Sequence, residues 1–215
     1  MKEPMMPGVV VVGAGPGIGR SVARRFAKEG MEVALVSRSG TTLDVDGARG
    51  YRADSADEDE LRAALDAAAA ELGTPDVVVY NAAVIRPDTP AEASMRSHLD
   101  AWAVNVVGAL IAAAHVVPAM ARSGGGSFLI TGGMPEPKAA YTSLSLGKAG
   151  VRTLVHLLDQ QWGPSGVHVA GVTVAGPVAP GTDFDPDDIA EHYWRLHTQP
   201  RSRWDREVLH GGAGG

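Results

Sequence analysis

Val9-Val10-Val11-Val12 runs directly into Gly13-Ala14-Gly15-Pro16-Gly17-Ile18-Gly19, and Arg20-Ser21-Val22-Ala23-Arg24-Arg25-Phe26-Ala27 follows. Four β-branched apolar residues in succession read as a short strand buried on both faces, as in a parallel sheet. The segment after the glycines reads as an amphipathic helix. A glycine-rich turn between two such elements lets backbone N–H groups approach a pyrophosphate. The helix then aims its positive N-terminus at the same anion. Glycines also make plain tight turns, but the strand before and the helix after are the context that points to a nucleotide.

Short apolar runs alternate with helical stretches along the rest of the chain. Strands are expected at 9–12, 33–36, 77–80, 127–131, 167–174 and 207–210, each bounded by Gly, Pro or Asp. Helices are expected at 17–28, 58–71, 94–120, 140–162 and 187–195. This alternation predicts an α/β fold: a Rossmann-like, doubly wound parallel sheet in three layers, forming a single domain. Residues 1–7 are expected to be a tail, 176–205 a short lid region with the C-terminal helix, and 211–215 a flexible glycine tail.

The chain has 215 residues, of which 45% are hydrophobic, 20% charged and 5% aromatic. That composition suits a globular core built from Ala, Val and Leu, and excludes a mostly disordered chain. The net charge of −6 comes without a basic stripe or basic helix, so neither nucleic acid nor an anionic membrane is expected as a partner. The absence of cysteine excludes disulfides, thiol catalysis and cysteine-based zinc sites. The seven histidines do not fall at metal-ligand spacing with carboxylates, and no metal is expected. No Gly-x-Ser-x-Gly elbow is present, which argues against a serine hydrolase. The run 101–121 is apolar and long enough to span a bilayer. It contains Asn105, Gly108, His115 and Pro118 and reads as a buried helix. The apolar run at 9–12 is too short for a secretory signal, and a cytoplasmic location is expected.

The spacing of Gly13, Gly17 and Gly19 with Ile18 resembles the short-chain dehydrogenase/reductase family. Later landmarks follow in that family's order. Asn81-Ala82-Ala83-Val84 resembles its Asn-Asn-Ala-Gly segment, with Val84 in place of the glycine. Asn105 stands within Asn-Val-Val-Gly, where the family has its asparagine. Gly147-Lys148-Ala149 resembles its lysine segment, and Ala175-Gly176-Pro177-Val178 its Pro-Gly motif in altered form. The resemblance runs from Val9 to about His210. It implies an oxidoreductase that moves a hydride between a nicotinamide cofactor and a small carbonyl or alcohol.

By that resemblance, Gly13, Gly15, Pro16, Gly17, Ile18 and Gly19 cradle the cofactor. Ser37, Arg38, Asp54, Ser55, Asn81, Ala82, Lys148, Gly176 and Val178 complete its site. An acidic residue at the end of the second strand favours the free ribose hydroxyl, whereas a basic one accommodates a 2′-phosphate. The chain reads Val36-Ser37-Arg38-Ser39 there, so NADP(H) is expected over NAD(H). Arg38 also has the simpler reading of a solvated side chain. Asp54 is either a contact to the adenine or a turn carboxylate.

The family sets a tyrosine four residues before its lysine, so that the ammonium eases ionisation of the phenol. Here Leu144 stands at that position, and Tyr141 lies seven residues before Lys148. On a regular helix that spacing is about 10.5 Å, where the usual arrangement needs roughly 6 Å. Tyr141 can supply the proton only if the helix starts after it and the loop folds inward; Pro135 and Pro137 suit such an irregular approach. Its other reading is a loop residue packing against the core. The family often has two serines at this strand end; Thr131 offers the hydroxyl for the substrate oxygen or one that only caps the strand end, Gly132 offers none, and Ser143 and Ser145 are further candidates. Asn105 is expected to tie backbone segments together or to serve the proton path. Lys148, Tyr141, Thr131 and Asn105 thus form the candidate catalytic set. A homodimer or homotetramer is expected from the smooth Ala-rich helices. The competing function is a catalytically weak NADP(H)-binding sensor of the same fold.

Overall fold

The structure is a computed structural model that describes residues 7–212; the expected tails at 1–7 and 211–215 lie outside the described residues except for Pro7, Gly211 and Gly212. Seven strands form one sheet: β1 (Gly8–Val12), β2 (Glu32–Ser37), β3 (Arg49–Arg52), β4 (Val77–Tyr80), β5 (Gly126–Gly133), β6 (Val167–Val174) and β7 (Glu207–His210). Their order is β3-β2-β1-β4-β5-β6-β7, and every pairing is parallel. This is the expected doubly wound three-layer fold.

The valine runs explain the layering. Side chains alternate faces along a strand, so Val9 and Val11 enter one core and Val10 and Val12 the other. In β4, Val77 and Val79 join the first, while Val78 and Tyr80 join the second. One face is covered by α1 (Ile18–Lys28) and α6 (Pro186–Thr198). The other is covered by α2 (Glu58–Leu72), α4 (Gly108–Arg122) and α5 (Thr142–Trp162). Phe26 of α1 is fully buried and meets Trp194 of α6 edge-on at 5.4 Å, fastening the two helices.

Three elements differ from the expectation. Strand β3 was not among the apolar runs, because Arg-Gly-Tyr-Arg is a half-exposed edge strand with no continuous apolar face. The expected helix at 94–120 is α3 (Met95–Trp102), a π turn at Ala103–Val107, and α4. The π turn carries Asn105, whose side chain reaches Val84 in the loop after β4. Helix α5 begins at Thr142 rather than 140, with Tyr141 as its N-cap residue in a non-helical conformation. The span Met95–Arg122 is long and apolar enough to cross a membrane, yet half of its most apolar window is buried inside this fold.

The chain leaves β1 for β2 and β3 on one side, then crosses to β4 on the other side of β1. A crevice opens at the carboxyl ends of the strands where the order reverses. Candidate site residues gather there.

Candidate active site

A cleft of about 1030 Å³ runs across the carboxyl ends of β1, β2, β4, β5 and β6. Its floor is the glycine loop. Gly13 has φ +80, and a Cβ there would collide with the Ala82 backbone after β4. Gly15 and Gly17 border open space, which leaves their backbone accessible from the cleft. Helix α1 has no side-chain cap and no acidic residue in its first turn. By contrast, α2 is capped by Asp57 and carries three acids, and α6 is capped by Asp185. Arg20 N donates to Gly15 O at 2.9 Å and Ser21 N to Gly17 O at 3.2 Å, so the Ile18 and Gly19 N–H groups and the positive dipole end of α1 are left for an anion. Gly13, Gly15, Gly17, Ile18 and Gly19 line the cleft; Pro16 is exposed and stands outside it. These residues fit a dinucleotide pyrophosphate.

At one end lie Ser37, Arg38, Asp54 and Ser55. Arg38 is exposed and makes no ion pair or side-chain hydrogen bond among the described residues. The Ser37 hydroxyl accepts from Gly40 N at 3.1 Å, which turns the chain so that Ser39 also reaches the cleft. Asp54 Oδ1 accepts from Ala56 N at 2.9 Å, the turn geometry that its sequence also allowed.

Asn81 is a strut between strands. Its backbone N–H donates to Val12 O at 2.7 Å and its side-chain amide to Gly13 O at 2.9 Å. Its Oδ1 accepts the Thr131 hydroxyl proton at 2.8 Å. The Thr131 oxygen is also 2.6 Å from the Tyr193 hydroxyl, so that phenol is the donor there. A hydroxyl has one proton to give, and that of Thr131 is given to Asn81. The residue lines the cleft, and its hydroxyl is hydrogen-bonded to Asn81 and Tyr193 inside the fold.

At the other end sits Lys148, on α5. It is only 5% exposed, and its ammonium donates to Thr131 O at 2.6 Å. Burial pushes its pKa from 10.5 down to about 8, close to the range useful for proton exchange near neutrality. Leu144, one turn before it, also lines the cleft where a tyrosine would complete the usual pair.

The chain has four tyrosines, and among them only Tyr141 lines the cleft. Tyr80 and Tyr193 are buried, and that burial pushes both phenols well above their usual range. Helix α5 starts just after Tyr141, which lines the cleft. Asp88 fixes this arrangement from a distant segment. Its N–H donates to Ala140 O at 3.0 Å, and its carbonyl accepts from Thr142 N at 3.2 Å. Its carboxylate accepts from Ser143 N at 3.0 Å. Hydrogen bonding from Ser143, with His98 and Arg86 nearby, holds the Asp88 carboxyl below its usual range.

Asn105 does not line the cleft. It is 1% exposed; its Oδ1 accepts from Val84 N at 2.7 Å, and its amide nitrogen is buried without a partner among the described groups. The π turn places it against Gly147, beside Lys148. Gly176 and Val178 line the cleft from the segment after β6, and Phe184 packs on Gly176 to hold that segment. Among the described residues no group of three His, Asp or Glu could hold a metal.

Sequence reasoning missed Lys138 and Met134 as cleft residues, and Tyr193 and Asp88 as supports. Proximity to Tyr141 could have flagged Lys138. Nothing local marks Tyr193 or Asp88, which lie 62 and 55 residues from the groups they hold.

The missing family serine has a structural counterpart. A Cβ at Gly132 would meet the Thr173 side chain, itself held by Glu207 at 2.6 Å, and would lie 3.1 Å from Thr173 Cα. Gly132→Ser is therefore expected to lower the melting temperature by roughly 5 °C. A thermal melt that matches the native protein would contradict this packing.

A parallel sheet with an uncapped helix and open glycine loop at its switch point defines a dinucleotide-binding α/β protein. A family model described as short chain dehydrogenase matches residues 8–187, and the chain belongs to that oxidoreductase family. It is 32% identical over 176 residues to cis-4-hydroxycyclohexanecarboxylate dehydrogenase of Sinomonas cyclohexanicum, covering 76% of this chain and 70% of that protein. It is 29% identical over 171 residues to D-threitol dehydrogenase of Mycolicibacterium smegmatis, covering 74% of this chain and 66% of that one. The chain thus spans only about two thirds of the length of such relatives. A short-chain dehydrogenase from Rhodopseudomonas palustris superposes with a TM-score of 0.86 at 25% identity, covering 96% of this chain and 98% of that one. A metagenomic short-chain oxidoreductase solved in complex with NADP gives 0.83 at 25% identity, covering 94% and 96%.

Proposed function

We propose that the chain is an NADP(H)-dependent oxidoreductase of a small carbonyl or alcohol, with Tyr141 as a displaced proton donor. The observation that carries this reading is that one cleft joins the open glycine loop, the unpaired Arg38, the buried Lys148 and Tyr141. The nicotinamide supplies or takes the hydride when bound. Lys148 holds the cofactor ribose, with Thr131 O fixing the ammonium from behind. Tyr141 gives a proton to the substrate oxygen on reduction and takes it back on oxidation. Thr131 and Asn81 keep the floor rigid, and Asn105 locks the π turn against α5.

The test is NADPH oxidation over a panel of aldehydes and ketones. Tyr141→Phe is expected to reduce kcat by at least about 100-fold, the contribution of a positioned proton donor. Retention of full activity would remove Tyr141 from the reaction. NADPH binding without turnover of any carbonyl would instead favour the sensor reading.

Arg38 sets the choice of cofactor in this proposal. Arg38→Asp removes the donor fork and places a carboxylate where a 2′-phosphate would sit. NADPH affinity is expected to fall by about 10- to 100-fold while NADH affinity rises. Unchanged NADPH binding would sink this assignment.

The proposal also includes a homodimer or homotetramer. It is supported by exposed apolar side chains on α3, α4 and α5, including Met95, Leu99, Leu110, Leu146 and Leu157. The setting is taken as cytoplasmic.

A further inference from the structure

The end of the cleft beyond Lys148 has walls of one chemical character and a single unmatched charge. Val84, Ile85, Met134, Leu144 and Val178 line it. Ile85 is 71% exposed and Val178 38% exposed, so apolar surface faces the opening. Lys138, an exposed residue three positions before Tyr141, also lines the cleft. It makes no ion pair among the described residues, and its hydrogen bonds are all through its backbone. The only carboxylate in the cleft wall is Asp54, at the opposite end beside Ser55.

Lys138 stands on a fixed piece of chain. Its N–H donates to Ser145 Oγ at 3.0 Å, and the same hydroxyl donates back to the Lys138 carbonyl at 3.3 Å. Tyr141 N also donates to that carbonyl at 2.9 Å. Ser145 is 7% exposed on α5, so the helix that carries Lys148 also sets the position of residue 138.

An apolar wall with one ammonium and no competing acid complements an apolar body bearing one carboxylate. A phosphate would call for several convergent donors, such as a backbone nest or an arginine fork. A neutral substrate would leave the Lys138 ammonium to solvent and gain nothing from it. We infer that the substrate is an apolar oxo- or hydroxycarboxylic acid whose carboxylate pairs with Lys138. On reduction, the oxo carbon gains a hydride from NADPH and its oxygen gains a proton, giving the hydroxy acid and NADP⁺. The reaction rests on the oxidoreductase reading above; the binding preference does not.

Calorimetric titration of phenylbutyrate and phenylbutyramide, each with and without NADPH, tests the site on the full chain. The acid is expected to bind roughly fivefold or more tightly than the amide, the ratio that a partly solvated ion pair gives. Lys138→Met is expected to erase that difference and Lys138→Arg to keep it, with NADPH affinity unchanged in both. Equal affinity for acid and amide, a difference that survives in Lys138→Met, or no binding of either compound would overturn the inference. Failure of NADPH to bind while the acid–amide difference holds would overturn the cofactor reading alone.

Discussion

Lys148→Met is expected to abolish NADPH-dependent turnover while leaving the fold at least as stable as before. Methionine has nearly the same length and no charge. The native ammonium is buried with one hydrogen bond, to Thr131 O at 2.6 Å. Replacing a buried charge by an apolar side chain of similar volume is often neutral or stabilising. Turnover should fall by at least about 100-fold, since the variant can neither hold a ribose hydroxyl nor exchange a proton.

The pH dependence separates this account from a merely structural lysine. Burial holds the folded-state pKa near 8 against 10.5 when exposed. Below about pH 8 both states carry the proton, and the fold bears the full penalty of burying it, roughly 3 kcal/mol. Between 8 and 10.5 the unfolded state binds more protons than the folded one, so stability rises with pH through that window. Urea unfolding at both ends of the window should show the rise in the native protein and its loss in Lys148→Met. An equal slope in both would show that Lys148 does not carry the linkage.

Gly13→Ala is expected to be the most damaging substitution in the loop. The residue has φ +80, a region that penalises a Cβ, and that Cβ would strike the backbone of Ala82. Ala82 cannot yield, because Asn81 ties the chain to Val12 O at 2.7 Å and to Gly13 O at 2.9 Å. The loss should exceed about 3 kcal/mol, seen as a fall in melting temperature of roughly 10 °C or as failure to fold. Gly15→Ala is the contrasting case. Its Cβ would meet nothing within 4 Å, so the melting temperature should hold while NADPH affinity falls by about tenfold or more as the methyl fills the cradle. Equal melting of Gly13→Ala and the native protein would contradict the loop geometry.

The parts of this molecule that were legible in its sequence are the local ones. The valine run, its glycine turn and the helix after it fixed the architecture, because burial on both faces and a φ above zero each demand particular residues. Lys148 was legible from its place in Gly147-Lys148-Ala149, within a Leu-, Gly- and Ala-rich stretch. Strand β3 was not, since a half-exposed edge strand of Arg-Gly-Tyr-Arg follows no apolar pattern. The π turn was hidden because its cause is tertiary: Asn105 bonds Val84 N, 21 residues away. The state of the Thr131 hydroxyl depends on Tyr193. The spacing of Tyr141 and Lys148 posed the question of the proton donor, and the contacts from Asp88, in the loop after β4, that hold the start of α5 were not visible in it.

A fluorescence titration of the purified chain with NADPH and with NADH decides whether the cleft is a nucleotide site selective for NADP(H). Saturable NADPH binding is expected, with NADH binding at least about tenfold weaker. Binding of neither nucleotide would mean that the open glycine loop and the uncapped helix hold no cofactor, and the proposed reaction would fall with them.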